Sequence, residues 1–318
     1  MITVWELDAS KKEVRPVSFE QYEIGKTLSW IDCVQPTDRE FSQLSEKTGI
    51  PPEELKDSVD PFKRPHVIPA ESWSLIIFRA PYHEADHVLT TPVGVFLFKR
   101  DIITIHAQPI QALGEFRSLP DAQRLLIFRR GAPYFVYRFM DAAIGDFFTM
   151  LDMVGDELDA IEEQVLTEPT KLVTKKIFIL KRALIYSHKA LTANRDVITA
   201  IEKEYLREFQ KQDLRVFRDL YNDTAQLIDL VTTYRDVLTS VLDMYLSSVS
   251  NNLNKIVKTL TIISAFVLVP TLIAGIYGMN FRFMPEISWK LGYPFALGVM
   301  AVSVTLLYRY FRKQGWVG

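Results

Sequence analysis

Between Thr259 and Phe281 the chain carries no charged residue, over about the 20 positions a helix needs to cross the hydrocarbon of a bilayer. A second uncharged run extends from Leu291 to Tyr308, and the nine residues 282–290 between them are too few to fold alone. A soluble core helix seldom needs charge-free runs of this length, so the pair predicts a membrane hairpin. Because hydrocarbon cannot hydrate an open backbone, both runs have to be helical until they leave it. Lys255 and Lys258 precede the first run and Arg309, Arg312 and Lys313 follow the second, while the linker holds Arg282, Lys290 and Glu286. The positive-inside rule then puts both termini in the cytoplasm and the linker outside.

The long region ahead of the hairpin has room for a sizeable core. A net charge of −2 with 24% charged residues fits neither a basic nucleic-acid binder nor an acidic disordered tail, so no nucleic-acid partner is expected. The first residues, Met1 to Asp8, lack the basic and apolar regions of a signal peptide, so the N-terminus is expected to stay in the cytosol. Cys33 is the one cysteine and reads as a packing residue.

Residues 1–135 alternate strand and helix signals and predict a cytosolic α/β domain. The strand candidates are Ile2–Leu7, Leu28–Asp32, Trp73–Ala80, Val93–Phe98 and Ile102–Ala107, rich in β-branched and aromatic residues. Helices are expected at Asp38–Thr48, capped by Thr37 or Asp38, at Pro52–Asp57 and at Ile110–Phe116. Residues 136–210 predict paired helices, Phe135–Leu166 and Lys171–Glu204, broken at Glu168-Pro169; the acidic run Asp156–Glu163 reads as a solvated face. From about Gln212 no Pro or Gly intervenes before Pro270. That predicts one stalk helix, cytosolic over 211–258, that becomes the first membrane helix over 259–281, with an outer loop at 282–290 and a second membrane helix and basic end at 291–318. Pro270 marks where it bends.

Stepping by three and four from Asp243 gives Ser247, Ser250, Asn254, Val257, Thr261, Ser264, Leu268, Thr271, Gly275 and Gly278, polar or small where a coiled-coil seam would be apolar. Two readings account for it: several copies ring an axis and the stripe lines a wet path, or the stripe is a small-residue packing seam with its hydroxyls bonded to their own helix. In a wet path Leu268, with Val257 or Leu260, would form apolar constrictions. No acid or base lies within the first span, so it offers no intramembrane proton relay, and no glycine-lysine phosphate loop is present. His83-Glu84-Ala85-Asp86-His87 matches the H-E-x-x-H zinc-protease pattern, but that chemistry needs a helix, and Pro81 and Pro92 between two strand candidates predict a hairpin tip. Enzymatic activity is not expected.

Tyr277-Gly278-Met279-Asn280-Phe281, followed by Met284-Pro285-Glu286, Trp289 and Gly292-Tyr293-Pro294, resembles the CorA family of magnesium transport proteins. Tyr245–Asn251 and Phe217–Tyr221 extend the resemblance upstream. It implies an α+β membrane protein: an N-terminal cytosolic α/β/α domain, paired acidic helices, a long stalk and two C-terminal membrane helices in a funnel-shaped homopentamer of the inner membrane. It implies Mg2+ as substrate and regulatory ligand, with no other cofactor; Co2+, Ni2+ or Zn2+ transport is the alternative within the family, and a membrane-tethered cation sensor the alternative outside it. Gly278, Met279 and Asn280 would form an outer selectivity ring, and Asn254, Val257, Leu260, Thr261, Ser264, Leu268, Thr271 and Gly275 the pore lining. Asp219 would bind regulatory Mg2+ with Glu84 or Asp86 of a neighbouring copy, while Asp243 on the stripe would gather cations at the inner end. The Gly-Met-Asn triplet also fits a left-handed helix C-cap.

Overall fold

The segments Ser29–Val34 and Asp101–His106 are buried along almost their whole length, as strands covered on both faces must be. They lie side by side and parallel at the middle of a seven-stranded sheet. The computed structural model describes residues 1–8, 13–84, 87–167, 170–203, 206–210, 213–282 and 284–316, with the backbone alone for 83, 84, 87, 88 and 171. Its strands are β1 (Ile2–Asp8), β2 (Glu13–Val17), β3 (Ser29–Val34), β4 (His66–Pro69), β5 (Ser74–Glu84), β6 (His87–Leu97) and β7 (Asp101–His106), in the order β2-β1-β3-β7-β6-β5-β4. Every neighbouring pair except β3 and β7 is antiparallel. The helices are α1 (Asp38–Thr48), α2 (Pro52–Asp57), α3 (Gln111–Ser118), α4 (Asp121–Arg130), α5 (Ala132–Thr167), α6 (Lys171–Glu202), α7 (Phe217–Tyr277) and α8 (Gly292–Lys313).

The two-residue period of the strands sorts their side chains into two layers. Ile31, Cys33, Leu75, Ile77, Ile103 and Ile105 join Phe41 and Leu44 of α1 and Leu55 of α2 in one core. Burial pushes the Cys33 thiol up, which suits packing rather than reactivity. The alternate residues face the other way: Trp30 meets Phe116 of α3 at 6.2 Å and Phe135 of α5 at 5.3 Å between ring centres, and Phe78 meets Phe139 at 6.1 Å. The domain is therefore α/β/α. Thr37 caps α1: its hydroxyl accepts from the Glu40 N–H while the Glu40 carboxylate accepts from the Thr37 N–H at 2.8 Å.

On the α3 and α5 face Asp32 is fully buried with three partners. Its carboxylate accepts from Thr104 Oγ1 at 2.7 Å, His106 Nε2 at 3.2 Å and Arg117 Nε at 2.7 Å. His106 Nδ1 lies 2.5 Å from the Gln108 carbonyl, so both ring nitrogens face acceptors. Across the sheet, β4 pairs β5 only between Ser74 and Ile77, which leaves the Arg79 backbone beyond its end. The buried Asn194 of α6 fills that gap, accepting from the Arg79 N–H at 2.9 Å and donating to its carbonyl at 2.8 Å.

Asp146 of α5 accepts the Ala112 N–H at 3.1 Å in the first turn of α3. Burial, then Glu115, raises its carboxyl from 3.8 to about 6. A carboxyl raised in the folded state adds stability that is complete below its unfolded pKa and is lost as pH rises towards 6. Asp146→Asn keeps the acceptor and removes the charge, so the variant should melt higher than the parent at pH 7.5, with the gain disappearing near pH 3.5. Thermal unfolding at the two pH values checks this; an equal gain at both would detach it from titration.

The chain divides into two compact units, Met1–Leu242 and Asp243–Gly318. In the first, α7 buries Phe217, Leu220, Thr224, Leu227, Val231, Leu238 and Val241, the three-four spacing of a helix with one covered face. Gly155 of α5 admits the Tyr234 ring, whose oxygen would stand 2.6 Å from a Cβ there. Burial, then Asp152, Asp159 and Asp156, raises the Tyr234 hydroxyl, which places the acidic face of α5 beside α7. In the second unit Phe266 meets Phe311 of α8 at 5.9 Å, and Lys258 Nζ donates to the Gly315 carbonyl at 2.9 Å.

The expected strands Trp73–Ala80 and Val93–Phe98 prove longer, running to Glu84 and from His87, which pair directly. The H-E-x-x-H match therefore sits at a hairpin tip, where strand backbone cannot present the histidines as a helix would. Strands β2 and β4 and helix α4 carry no expectation from the sequence.

Candidate ion path and its outer turn

Among the described residues two helices are long and apolar enough to cross a membrane, α7 through its C-terminal part and α8. Within α7, Lys258, Ile262, Ala265, Phe266, Val269, Ile273 and Tyr277 are half-buried and form the face towards α8. At about 100° per residue, Val257, Ser264, Leu268, Thr271 and Gly275 fall on the opposite side of the helix, and Asn254 and Thr261 on its flank. All seven are exposed, as is Leu260, and Leu268 reaches 67%. Thr261 Oγ1 donates to the Val257 carbonyl at 2.8 Å and Thr271 Oγ1 to the Val267 carbonyl at 2.7 Å. That bonding pattern fits lining and packing equally. The face does not: the stripe is turned away from α8, so it is no packing seam with that helix.

Helix α7 ends by tightening. Gly278 N–H bonds to the Ala274 carbonyl at 2.9 Å and the Gly275 carbonyl at 3.2 Å, and Met279 N–H to the Ile276 carbonyl at 3.2 Å. The left-handed cap allowed for this triplet is not adopted; neither Gly278 nor Asn280 has a positive φ, because the shortened bonds already satisfy the last carbonyls. A Cβ at Gly278 would stand 3.2 Å from the Ala274 carbonyl oxygen, so the tight end suits glycine. Met279 is 49% exposed and Asn280 is exposed. The following loop is drawn in by a 3-10 turn at Pro285–Ile287, and at Gly292 a Cβ would lie 2.1 Å from the Glu286 carbonyl oxygen. Trp289 leans on Phe295 at 5.7 Å.

Asp219 is exposed in the first turn of α7, and Asp243 is exposed 24 residues further on (243 − 219). Glu84 closes β5, but its side chain, Asp86 and the side chains of His83 and His87 lie outside the described residues. Among the described residues no group of three His, Cys, Asp or Glu is arranged to hold a metal. Asp219 belongs to the first compact unit, and Asp243 and Asn280 to the second. The structure shows one acidic neighbourhood that the sequence reading missed: burial, then Asp223, raises the half-buried Asp141 carboxyl against the pull of Arg138. Asp223 stands one turn after Asp219, the only sequence signal available, since Asp141 is 82 residues away (223 − 141).

An α/β/α domain followed by a long helix and an apolar helical hairpin defines a membrane protein. Residues 25–313 match the family model described as CorA-like Mg2+ transporter protein, and the chain belongs to that family. It is 36% identical over 322 residues to the cobalt/magnesium transport protein CorA of Methanocaldococcus jannaschii, covering 100% of both chains. It is 35% identical over 297 residues to the protein of the same name from Thermotoga maritima, covering 92% of this chain and 84% of the relative. The solved complete structure of the CorA magnesium transporter from M. jannaschii superposes with a TM-score of 0.87 at 33% identity, over 100% of this chain and 99% of that one.

Proposed function

We propose that the chain assembles as a homopentamer in the inner or cytoplasmic membrane, with both termini cytoplasmic, and passes Mg2+ inward down the membrane potential. One observation carries this reading: the small and polar stripe from Asn254 to Gly275 is exposed on the face of α7 away from α8 and leads to the Gly278–Asn280 turn. A helix that only tethered a sensor domain would gain nothing from hydroxyls on its free face, whereas copies ringed about an axis give them water. The full-length similarity to proteins named for cobalt and magnesium transport supports the cargo.

Mg2+ parts with its water reluctantly, so a ring of Asn280 amides would grip the hydrated ion instead of stripping it. Leu268, with Val257 or Leu260, narrows the path with apolar rings able to close it by dewetting. A divalent cation crossing about 100 mV gains about 4.6 kcal/mol, so no fuel is required. Closure comes from regulatory Mg2+ held between Asp219 of one copy and Glu84 or Asp86 of the next. Bare carboxylates facing each other repel, so ion loss loosens the interface. Asp243 concentrates cations at the inner mouth, and the exposed Arg309 and Arg312 anchor to lipid headgroups. Co2+ is the second cargo, because the relatives' names carry it.

The reading is tested by Mg2+ entry into liposomes carrying the purified protein and an enclosed indicator. Entry should follow an inside-negative potential; absence of both Mg2+ and Co2+ entry would reject a channel. Asp219→Lys should blunt inhibition by Mg2+ on the domain side, shifting the inhibitory concentration upward about tenfold. Unchanged inhibition would remove Asp219 from the regulatory site.

A further inference from the structure

A cavity of about 600 Å3 lies in the first unit between loop 61–65, the β5–β6 hairpin and α6, within the range of small-molecule sites. Its lining includes four cations, Lys63, Arg64, Arg79 and Lys189, and no carboxylate among the described residues. Lys63 is paired with Asp57 at 2.6 Å. For the other three the described residues supply no ion-pair partner.

Arg79 is held in a fixed pose. Its Nε donates to Thr90 Oγ1 at 3.2 Å, Nη1 to the Pro61 carbonyl at 3.0 Å and Nη2 to the Thr90 carbonyl at 2.8 Å. Those bonds use three of the five N–H groups a guanidinium carries and leave two. The Asn194 clamp on its backbone fixes the origin of the side chain. Burial pulls the Arg79 guanidinium down from its ordinary value, opposed by Tyr82, so an anion beside it would relieve a cost already present. The same cavity is lined by two accessible aromatic rings, Phe62 at 95% exposure and Tyr186 at 43%. Phe62 sits on a turn fixed by its own N–H bonding to Asp60 Oδ1 at 2.9 Å.

We propose that this cavity binds a nucleoside polyphosphate in its metal-free form, phosphates against Arg64, Arg79 and Lys189 and base stacked on Tyr186 or Phe62. Arginine forks pair with phosphate oxygens through two N–H groups, and aromatic faces hold bases whatever their identity. The metal-free form is selected because a bound Mg2+ neutralises phosphate charge and seeks carboxylate ligands that the lining lacks. The site shares no residue with the proposed ion path, and its test does not read transport.

The test is calorimetric titration of the purified full-length protein with ATP in EDTA, with ATP preloaded with Mg2+, and with inorganic triphosphate in EDTA. ATP in EDTA should bind saturably and about tenfold more tightly than either other probe. Arg64→Ala/Lys189→Ala should weaken it about tenfold or more, and Tyr186→Ala should weaken ATP while sparing triphosphate. All three residues are exposed, so unliganded melting should be unchanged. No saturable ATP binding in EDTA, or equal binding by the double variant, would overturn the site. Triphosphate binding as tightly as ATP would overturn the nucleoside assignment, and tighter binding of the Mg2+ form the metal-free one.

Discussion

Liposomes carrying the Asn280→Ala chain are expected to take up Mg2+ about 100-fold more slowly than the parent under the same inside-negative potential, a loss of about 2.7 kcal/mol. Asn280 is exposed just after α7 ends, and no partner for its amide stands among the described residues, so truncation should leave the fold intact. The amide oxygen is expected to meet the water shell of the arriving ion, which methyl cannot do. Size-exclusion elution and melting of the variant should match the parent, confining the change to ion capture. Parent-like uptake would exclude Asn280 from selectivity, and lost uptake with lost assembly would assign it to the interface.

Asp32→Ala should cost about 3–5 kcal/mol, the usual penalty for stranding a buried ionic partner. Arg117 and His106 would keep their positions with no carboxylate to receive their N–H groups. Against a typical domain stability of about 5–15 kcal/mol, that is enough to leave little folded protein on warming. Chemical denaturation of detergent-solubilised protein measures it, and a loss below about 1 kcal/mol would mean that water replaces the carboxylate. The same residue sets an acid limit. Burial alone would raise the Asp32 carboxyl, but the His106 bond and charge, Arg117 and Thr104 together bring it below 3.8. A lowered carboxyl contributes stability above its unfolded pKa and withdraws it as pH falls through the folded value, so unfolding should set in below about pH 4.

The central strands were legible because burial on both faces leaves short stretches rich in Ile, Val, Trp and Phe in β3, β5, β6 and β7. The missed strands, β2 and β4, are the two sheet edges. Glu13-Val14-Arg15-Pro16-Val17 and His66-Val67-Ile68-Pro69 are short and contain proline, which an edge tolerates and a pattern search reads as a loop. Helix α4, Asp121–Arg130, has three arginines and buries only Ile127 and Phe128, so no apolar stripe announces it. The turn at Gly278–Asn280 was legible because its residues are contiguous. The Asp32, Thr104, His106 and Arg117 network was not, because strand register and the α3 packing assemble it from three separate segments. The cavity at Arg79 is likewise built from β5, loop 61–65 and α6.

The threonines of the proposed path have a consequence for the sign of the ion. Thr261 and Thr271 have each committed their proton to their own helix, so only lone pairs remain to face the axis. Water around a cation turns its hydrogens outward and can donate to such a wall. Around an anion it turns its oxygens outward and finds no donor at these two threonines. Neutral threonines can in this way favour one sign of ion through the orientation of its water, with no fixed charge at their level of the membrane.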